Sequence, residues 1–372
     1  MTDWAAHRAE FPALATQAYL NTAAGAPMSR GAAAAGRQYY EAAERDGDVH
    51  WDEWLERVEA VRAMAATLLT ADSGEIAFVQ NASAAINAVA ARLRSRGDVL
   101  LVRGDFPSVT YPWMVAGHDV VFAEPDVHGG ATLEALDAVV TPETGIVSVG
   151  LVHYRTGFRY DLRKLGEFCR ERELLLVVDA TQGLGAVRVD LSHGDVDFLV
   201  SSGYKWLTSG YGFGLLYASA RHLSTSSHVG AGWRSARDPY ALVSDQLDLS
   251  DHARALELGH PPFAAILGLG AALELLQVIG PEAIESRVLR LSARLSQVLE
   301  DAGFRVPLPD PADLRSGIVY AEADVDPVRL RDELLARGVY VSARGDGIRC
   351  STHFYNDETD LERLRKALGS MP

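Results

Sequence analysis

The stretch that decides the fold lies between residues 174 and 219 and contains the segments LLLVVDATQ (174–182) and VDFLVSSGYKW (196–206). Each reads as a buried strand that ends in polar residues, since Asp179 closes the first strand and Lys205 follows the second. Buried strands of this kind belong to parallel sheets, and ligands bind such sheets beyond the carboxyl ends of the strands. The sequence therefore predicts that Asp179 and Lys205 lie at the ends of adjacent strands.

Further apolar runs of strand length flank this stretch. They are EIAFVQ (75–80), DVLLV (98–102), DVVFA (119–123), GIVSVGLV (145–152) and GFGLLYAS (212–219). Helical stretches such as DLRKLGEFCRERE separate most of the early runs, which predicts βαβ units in a mainly parallel sheet. Beyond about residue 262 the pattern becomes helical, and it then alternates between strand and helix, with VYVSARG (339–345) as one of the strands, as is typical of a small α+β domain.

A chain of 372 residues exceeds the usual size of one hydrophobic core, so we expect an α/β protein with a large domain and a small C-terminal one. The predicted division has four parts: an N-terminal segment that joins the small domain, the large domain, connecting helices and the small domain. Their bounds are 1–20, 21–262, 263–300 and 301–372.

Composition narrows the class of partner. The formal net charge of −15 and the lack of a basic block argue against nucleic acid. No signal-like N-terminus and no uninterrupted apolar run of membrane-spanning length occurs, so we expect a cytoplasmic protein with no membrane contact. The two cysteines, Cys169 and Cys350, are too few for a disulfide framework, and neither HExxH nor paired CxxC motifs suggest a metal.

Lys205 and Asp179 together match the needs of pyridoxal phosphate. A lysine amine forms a Schiff base with the aldehyde, and an aspartate keeps the pyridine nitrogen protonated, so that the ring accepts electrons from a substrate carbanion. Taken alone, Asp179 is equally typical of a residue that caps the following turn. The pairing of the two residues favours the cofactor.

The runs VVDATQGLGAVRVDL and VDFLVSSGYKWLTSGYGFGLLYAS resemble the class V aminotransferase family of fold-type I pyridoxal phosphate enzymes, which includes cysteine desulfurases, selenocysteine lyases and isopenicillin N epimerase-like proteins. The resemblance extends over nearly the whole chain, through YLNTAAGAP, FVQNASAAINAVA, FPSVTYPW, LELGHPPFAAILGLGAALELL and IRCSTHFYND. It implies a fold-type I enzyme that acts on an amino acid, in a homodimer with active sites at the interface.

The resemblance also implies roles for individual residues. Lys205 is the Schiff-base lysine, Asp179 pairs with the pyridine nitrogen, and Gln182 lies near the phenolic oxygen. The other cofactor contacts implied are Ala82, Ser83, Phe106, His153, Ser202, Tyr204 and, toward the neighbouring subunit, His260. Ordinary turn chemistry for the serines, a core position for Phe106 and a buried, satisfied His153 remain alternatives. On the substrate side, Arg349 grips the carboxylate, and Asn21 and Arg344 lie nearby.

The chief departure from the desulfurases is a missing thiol. They present a nucleophilic cysteine on a loop between the equivalents of Arg344 and Arg349, where this chain has only RGDGIR. We therefore predict an enzyme that works through an external aldimine and a Cα carbanion, foremost a carbon–sulfur lyase. Epimerisation, transamination and decarboxylating deamination share the same first steps, and a non-catalytic pyridoxal-phosphate-binding regulator is the alternative of another class. The segment GLGAVR (183–188) follows a strand, as a dinucleotide-binding fingerprint does, but it lacks the third glycine of that fingerprint. The sequence therefore does not favour an NAD enzyme.

Overall fold

The computed structural model describes residues 2–223 and 230–370, and within them the chain forms mixed helices and strands. The strands are β1 (Ala18–Tyr19), β2 (Ile76–Val79), β3 (Asp98–Val102), β4 (Val120–Ala123), β5 (Thr144–Gly150), β6 (Leu175–Asp179), β7 (Phe198–Ser202), β8 (Gly214–Ala218), β9 (Ile318–Glu322), β10 (Val339–Tyr340), β11 (Ser342–Arg344) and β12 (Gly347–Ser351). The α-helices are α1 (Trp4–Ala9), α2 (Arg30–Asp46), α3 (Trp51–Leu69), α4 (Ala82–Arg92), α5 (Pro107–Ala116), α6 (Leu133–Asp137), α7 (Leu162–Glu171), α8 (Phe263–Ile279), α9 (Pro281–Asp301), α10 (Pro327–Ala336) and α11 (Glu358–Gly369).

The central sheet has seven strands in the order β2-β8-β7-β6-β5-β3-β4. Strands β4, β3, β5, β6 and β7 run parallel to one another, and β8 lies antiparallel between β7 and β2. Gly150 pairs with Asp179, and Asp179 pairs with Val200, so β5, β6 and β7 end at nearly the same height. The predicted mainly parallel sheet is confirmed, and Asp179 lies at the carboxyl edge of its middle.

The predicted strands of this sheet are confirmed to within two residues at each end. Their boundaries are sharp because apolar runs pack between helices on both faces of the sheet, while polar residues begin where that cover stops. Residues 198–202 are buried throughout, which explains why β7 shows no alternation of polar and apolar residues. The residues that follow leave the sheet but stay buried, except for the half-buried Tyr204, and they form the loop that carries Lys205.

A second, three-stranded antiparallel sheet, β11-β12-β9, packs on α9, α10 and α11 around its own apolar core. The run VYVSARG, expected as one strand, is divided: β10 pairs with β1, while β11 pairs with β12. The change of sheet falls at Val341, which is buried and leaves no mark in the apolar pattern. We keep the division at 1–20, 21–262, 263–300 and 301–372 as a proposal.

Helix α8 packs against α2 and α3, and most of its side chains are buried. None of the described helices is by itself long and apolar enough to span a membrane. Helices α8 and α9 reach that length and composition only as a pair, and the two are bent by 82° relative to each other.

A buried ion pair holds the segment before α8 against the edge strand β2. Arg62 of α3 and Glu257 are each about 4% exposed in their side chains and lie 2.5 Å apart. Glu257 also accepts a hydrogen bond from the backbone N–H of Phe78 at 2.8 Å, and Arg62 donates to the carbonyl of Ile76 at 2.9 Å. Both charges are therefore tied to the backbone of β2 and its neighbours.

We expect Glu257→Gln to lower the free energy of unfolding by about 3 kcal/mol, because it removes the only buried carboxylate that the structure shows beside Arg62 and Arg234, and leaves Arg62 with the half-exposed Glu59 alone. Urea unfolding followed by circular dichroism measures the loss. Glu333→Gln is the control, since the Arg329–Glu333 pair at 2.9 Å lies at the surface and should contribute less than about 1 kcal/mol. Equal losses in the two variants would contradict the structural importance of the buried pair.

Candidate active site

A cleft of about 450 Å³ opens at the carboxyl ends of the parallel strands. Eight residues expected from the sequence line it: Ala82, Ser83, Phe106, Asp179, Gln182, Ser202, Tyr204 and Lys205. They come from separate parts of the chain, and the sheet topology brings them together because the loops that follow parallel strands share one edge.

Lys205 and Asp179 both line this cleft and are 8% and 9% exposed. Burial lowers the pKa of the Lys205 amine to about 8, although the negative charge of Asp179 acts in the opposite direction. Burial also raises the pKa of the Asp179 carboxyl, while Thr181, which donates its backbone N–H at 2.8 Å, and Lys205 oppose that shift. A substantial share of Lys205 is thus neutral and nucleophilic near pH 8.

The N-terminus of α4 forms one end of the cleft. Asn81 caps this helix by accepting the N–H of Ala84 at 2.8 Å, and the first turn carries Ala82 and Ser83 into the cleft. A side chain on Gly214 of β8 would lie 2.9 Å from the nitrogen of Ala82, so glycine there permits the helix to approach the sheet. Helix N-termini offer free N–H groups and a partial positive charge, which suit a phosphate.

Two serine hydroxyls complete this end of the cleft. Ser83 donates to Ser108 Oγ at 2.8 Å, and Ser202 Oγ accepts the N–H of Ala82 at a long 3.4 Å. Both serines are thus within reach of the helix terminus that would hold an anion. Tyr204, also expected there, stacks on Tyr211 with ring centroids 4.3 Å apart, so its ring is held by a second aromatic residue.

The amide of Gln182 is held on both sides. Its nitrogen donates to the carbonyl of Ala23 at 2.9 Å, and its oxygen accepts the indole N–H of Trp206 at 2.9 Å. Phe106 also lines the cleft and is 42% exposed, with its ring 5.8 Å from the Lys205 nitrogen and 5.4 Å from the ring of Tyr154. A flat apolar ring near the lysine can cover an aromatic cofactor but cannot transfer a proton.

Arg349 of β12 is 2% exposed and lies near the cleft. Its Nη1 donates to the carbonyl of Tyr154 at 2.6 Å, while its Nε and Nη2 are buried with no hydrogen-bond partner among the described residues. Burial lowers its pKa to about 9, and the positive charge of Arg344 adds to this effect. Unpaired guanidinium donors are costly to bury, so this arrangement is suited to receive a carboxylate.

Besides Arg349, four expected site residues do not line the cleft: Arg344, Asn21, His153 and His260. Arg344 donates its Nη1 to the carbonyl of the neighbouring Ala343 at 2.8 Å. Asn21 is buried and accepts the hydroxyl of Ser342 at 2.6 Å. His153 is buried beside Thr156, 2.8 Å from its hydroxyl, and burial lowers the pKa of His153 to about 4. His260 is exposed and contacts the rings of two tryptophans. Its contact across a homodimer stays a prediction.

Asp105, Ser108, Tyr154 and Thr181 line the cleft although sequence reasoning did not select them. Asp105 accepts the N–H groups of Phe106 and Gly150, at 2.6 and 2.8 Å, and burial raises its pKa to about 6. The sequence does carry a signal for Asp105, a carboxylate three residues after the apolar run DVLLV, similar to Asp179 at the end of its own apolar strand. Tyr154 carries no such signal, because it contributes through its backbone carbonyl, which accepts a hydrogen bond from Arg349.

The donor set fits pyridoxal phosphate. The buried amine of Lys205, with its lowered pKa, would hold the aldehyde, the Asp179 carboxylate would hold the ring nitrogen, and the N-terminus of α4 with its serines would hold the phosphate. The unpaired donors of Arg349 then remain for the carboxylate of an amino acid.

Comparison with known proteins agrees with this geometry. The family model described as Aminotransferase class-V matches residues 18–366. The "Uncharacterized aminotransferase YcbU" of Bacillus subtilis (strain 168) is 28% identical over 95% of this chain and 94% of its own length. The isopenicillin N epimerase of Streptomyces clavuligerus is 27% identical over 100% and 99%. The fold matches a solved structure of C-DES with glycine covalently linked to its PLP cofactor, with a TM-score of 0.89 and 20% identity over 98% of this chain and 99% of that one.

We expect borohydride to fix pyridoxal phosphate covalently to Lys205 in the reconstituted protein, as read by peptide mass spectrometry. Because the amine must be neutral to attack the aldehyde, the rate of capture by the cofactor-free protein should rise with pH up to about 8 and level off above it. Lys164→Ala, a change at an exposed lysine, serves as control and should keep the adduct. An equal adduct on Lys205→Ala would exclude Lys205 as the anchor.

Proposed function

The chain belongs to the class-V aminotransferase family and is a pyridoxal-phosphate-dependent enzyme, and from this premise we propose that it is a carbon–sulfur lyase acting on an S-substituted amino acid. The observation that carries the proposal is a site that holds a lysine base and a buried carboxylate-binding arginine but no reactive thiol.

The two cysteines of the chain both lie in packed interiors. Cys169 of α7 is 1% exposed and Cys350 of β12 is 0% exposed, and neither lines the cleft. Burial raises the pKa of each thiol to about 12, so neither supplies a thiolate near neutral pH. A desulfurase reaction, which transfers sulfur to a protein thiolate, is therefore disfavoured, while elimination of an intact thiol needs no such group.

Three residues in or near the cleft have a part in such an elimination. Bound pyridoxal phosphate supplies an aldehyde for the substrate amine and a ring that withdraws electrons from Cα. Asp179 holds the proton on the ring nitrogen, and Arg349 binds the carboxylate and thereby sets which bond at Cα faces Lys205. Lys205, once the substrate amine has displaced its own, is the base within reach of the Cα proton.

The elimination then balances without a further reactant except water. The Lys205 nitrogen accepts the proton from Cα, the bond between Cβ and sulfur breaks, and its electron pair leaves with the sulfur. A proton returned to that sulfur releases a thiol. For an S-substituted cysteine, hydrolysis of the remaining unsaturated amine gives pyruvate and ammonia. The pKa of about 8 allows Lys205 both to take and to return a proton near neutral pH.

Epimerisation is the second candidate, supported by the end-to-end alignment with an isopenicillin N epimerase. That reaction needs a proton delivered to the opposite face of Cα. Phe106 cannot deliver one. Asp105, whose pKa burial raises to about 6, and Tyr154 are the titratable residues that line the cleft besides Asp179, Lys205 and Tyr204.

We expect the reconstituted enzyme to release a thiol and an equal amount of pyruvate from S-substituted cysteines, since a single elimination yields both. A thiol reagent and a coupled dehydrogenase assay measure the two products, and Lys205→Ala is the inactive control. Racemised amino acid without thiol release would replace the lyase proposal by the epimerase.

We expect Asp179→Asn to keep cofactor and lose turnover by 100-fold or more, because an amide cannot hold the ring nitrogen in its charged form. Absorbance of the bound cofactor and steady-state kinetics measure the two effects separately. Asp137→Asn makes the same change at a surface aspartate that pairs with Arg172 and serves as the matched control. Turnover near that of the native protein in Asp179→Asn would defeat this assignment.

A further inference from the structure

A chain of buried hydrogen bonds connects the C-terminal segment to the cleft through Trp206, the residue that follows Lys205. Trp206 is fully buried and donates its indole N–H to Gln182 Oε1 at 2.9 Å. Its backbone carbonyl lies 2.8 Å from Nε2 of His353, which is also fully buried. The backbone at Gly185 packs so closely there that a side chain on it would lie 2.4 Å from the Trp206 carbonyl oxygen.

The indole N–H and the backbone carbonyls fix the direction of every hydrogen bond in this series. An indole N–H can only donate, and a carbonyl can only accept. Gln182 must therefore turn its oxygen toward Trp206 and its nitrogen toward the carbonyl of Ala23. His353 accepts the N–H of Phe354 at Nδ1, at 2.8 Å, so its proton lies on Nε2 and points at Trp206.

One proton of the Gln182 amide remains after these contacts. The NH₂ group carries two protons, the described residues engage one of them through Ala23, and Gln182 lines the cleft. If the amide were turned over, its NH₂ would face the indole N–H and its oxygen would face the Ala23 carbonyl, two repulsive contacts in a buried place. The amide therefore presents a donor, and not an acceptor, to a group in the cleft.

We propose that Trp206 is a positioning residue that locks the Gln182 amide with an N–H available to the phenolic oxygen of the cofactor, and that His353 braces Trp206 from the C-terminal segment. The inference rests on the proposed site, in which Gln182 lies beside that oxygen, and not on the identity of the leaving group.

The C-terminal segment that contains His353 contacts residues of the site at three alternate positions, 349, 351 and 353. Arg349 contacts the carbonyl of Tyr154, and Ser351 Oγ accepts the N–H of Ala23 at 3.0 Å, the residue whose carbonyl holds Gln182. His353 follows two residues later and holds Trp206. Ala23 and Trp206, the two residues that contact the Gln182 amide, are thus held by Ser351 and His353. These two residues lie in or just after β12, the strand that also carries Arg349.

The test is the pH midpoint of the visible band of the reconstituted protein without substrate. This midpoint reports the proton shared between the phenolic oxygen and the Lys205 nitrogen. A donor at the oxygen stabilises its negative charge and so lowers the midpoint. Trp206→Phe removes one of the two contacts that fix the amide and leaves Gln182 Oε1 buried without its donor, so it should raise the midpoint by up to about one pH unit. Gln182→Leu should raise it at least as much, because it removes the donor itself.

Trp113→Phe is the matched control. Trp113 is also fully buried, and its indole N–H has no hydrogen-bond partner among the described residues, so the same substitution removes packing but no lock. Its midpoint should equal that of the unmodified protein. The double variant Trp206→Phe/Gln182→Leu should shift no further than Gln182→Leu alone, since Trp206 acts through Gln182.

An unchanged midpoint in Trp206→Phe, or additive shifts in the double variant, would overturn the proposal. If only Gln182→Leu shifts the midpoint, Gln182 contacts the phenolic oxygen but Trp206 does not position it. If neither variant shifts the midpoint, both the contact of Gln182 and the role of Trp206 are wrong. If Trp206→Phe does not fold, the ¹⁵N-indole signal of Trp206 in Gln182→Leu decides, because the lock requires its chemical shift and its proton exchange to change. Thiol release tests the lyase separately, since none of these measurements uses a substrate.

Discussion

The structure depends on keeping a lysine and an aspartate together where water is largely excluded. Burial acts against the charged form of both, lowering the pKa of Lys205 and raising that of Asp179, and each charge partly offsets the cost of the other. Neighbouring parallel strands achieve this arrangement because their carboxyl ends meet at one edge, while the covered faces of the sheet hold that edge in place. The lowered pKa of Lys205 and the parallel arrangement of these strands therefore both follow from the need to bury the lysine and the aspartate together.

The C-terminal segment supplies the second half of the site. Strand β12 belongs to the small sheet, yet Arg349, Ser351 and His353 each contact residues that belong to the cleft or support it. Alternation along an extended chain places these residues on one face and turns Cys350 to the other, into an apolar core. The same periodicity thus explains both the set of polar contacts and the inertness of the intervening thiol.

Sequence reasoning predicted the sheet and the residues whose chemistry is local. Strand limits, Lys205 and Asp179 could be predicted because an apolar run followed by a charged residue is visible within a few positions. The lock on Gln182 could not, since Trp206 and Ala23 meet it through the path of loops that carry no periodic signal. The division of VYVSARG between two sheets was missed for a related reason: the partner strands, not the residues themselves, determine where the chain changes sheet. The class-V family and its cofactor were predicted and are confirmed.

Arg349 shows how the two halves depend on each other energetically. Two of its donor nitrogens are buried without partners among the described residues, and burial lowers its pKa to about 9, so the folded protein carries an unfavourable contribution at this point. A substrate carboxylate bound there, as we propose, would remove that contribution, so part of the binding energy would come from relieving a cost already present in the fold. The rigid attachment of β12 through Ala23 and Trp206 prevents the guanidinium from relaxing toward water instead. The carboxylate site is preorganised because the strand that carries Arg349 is held by the same contacts that hold Gln182.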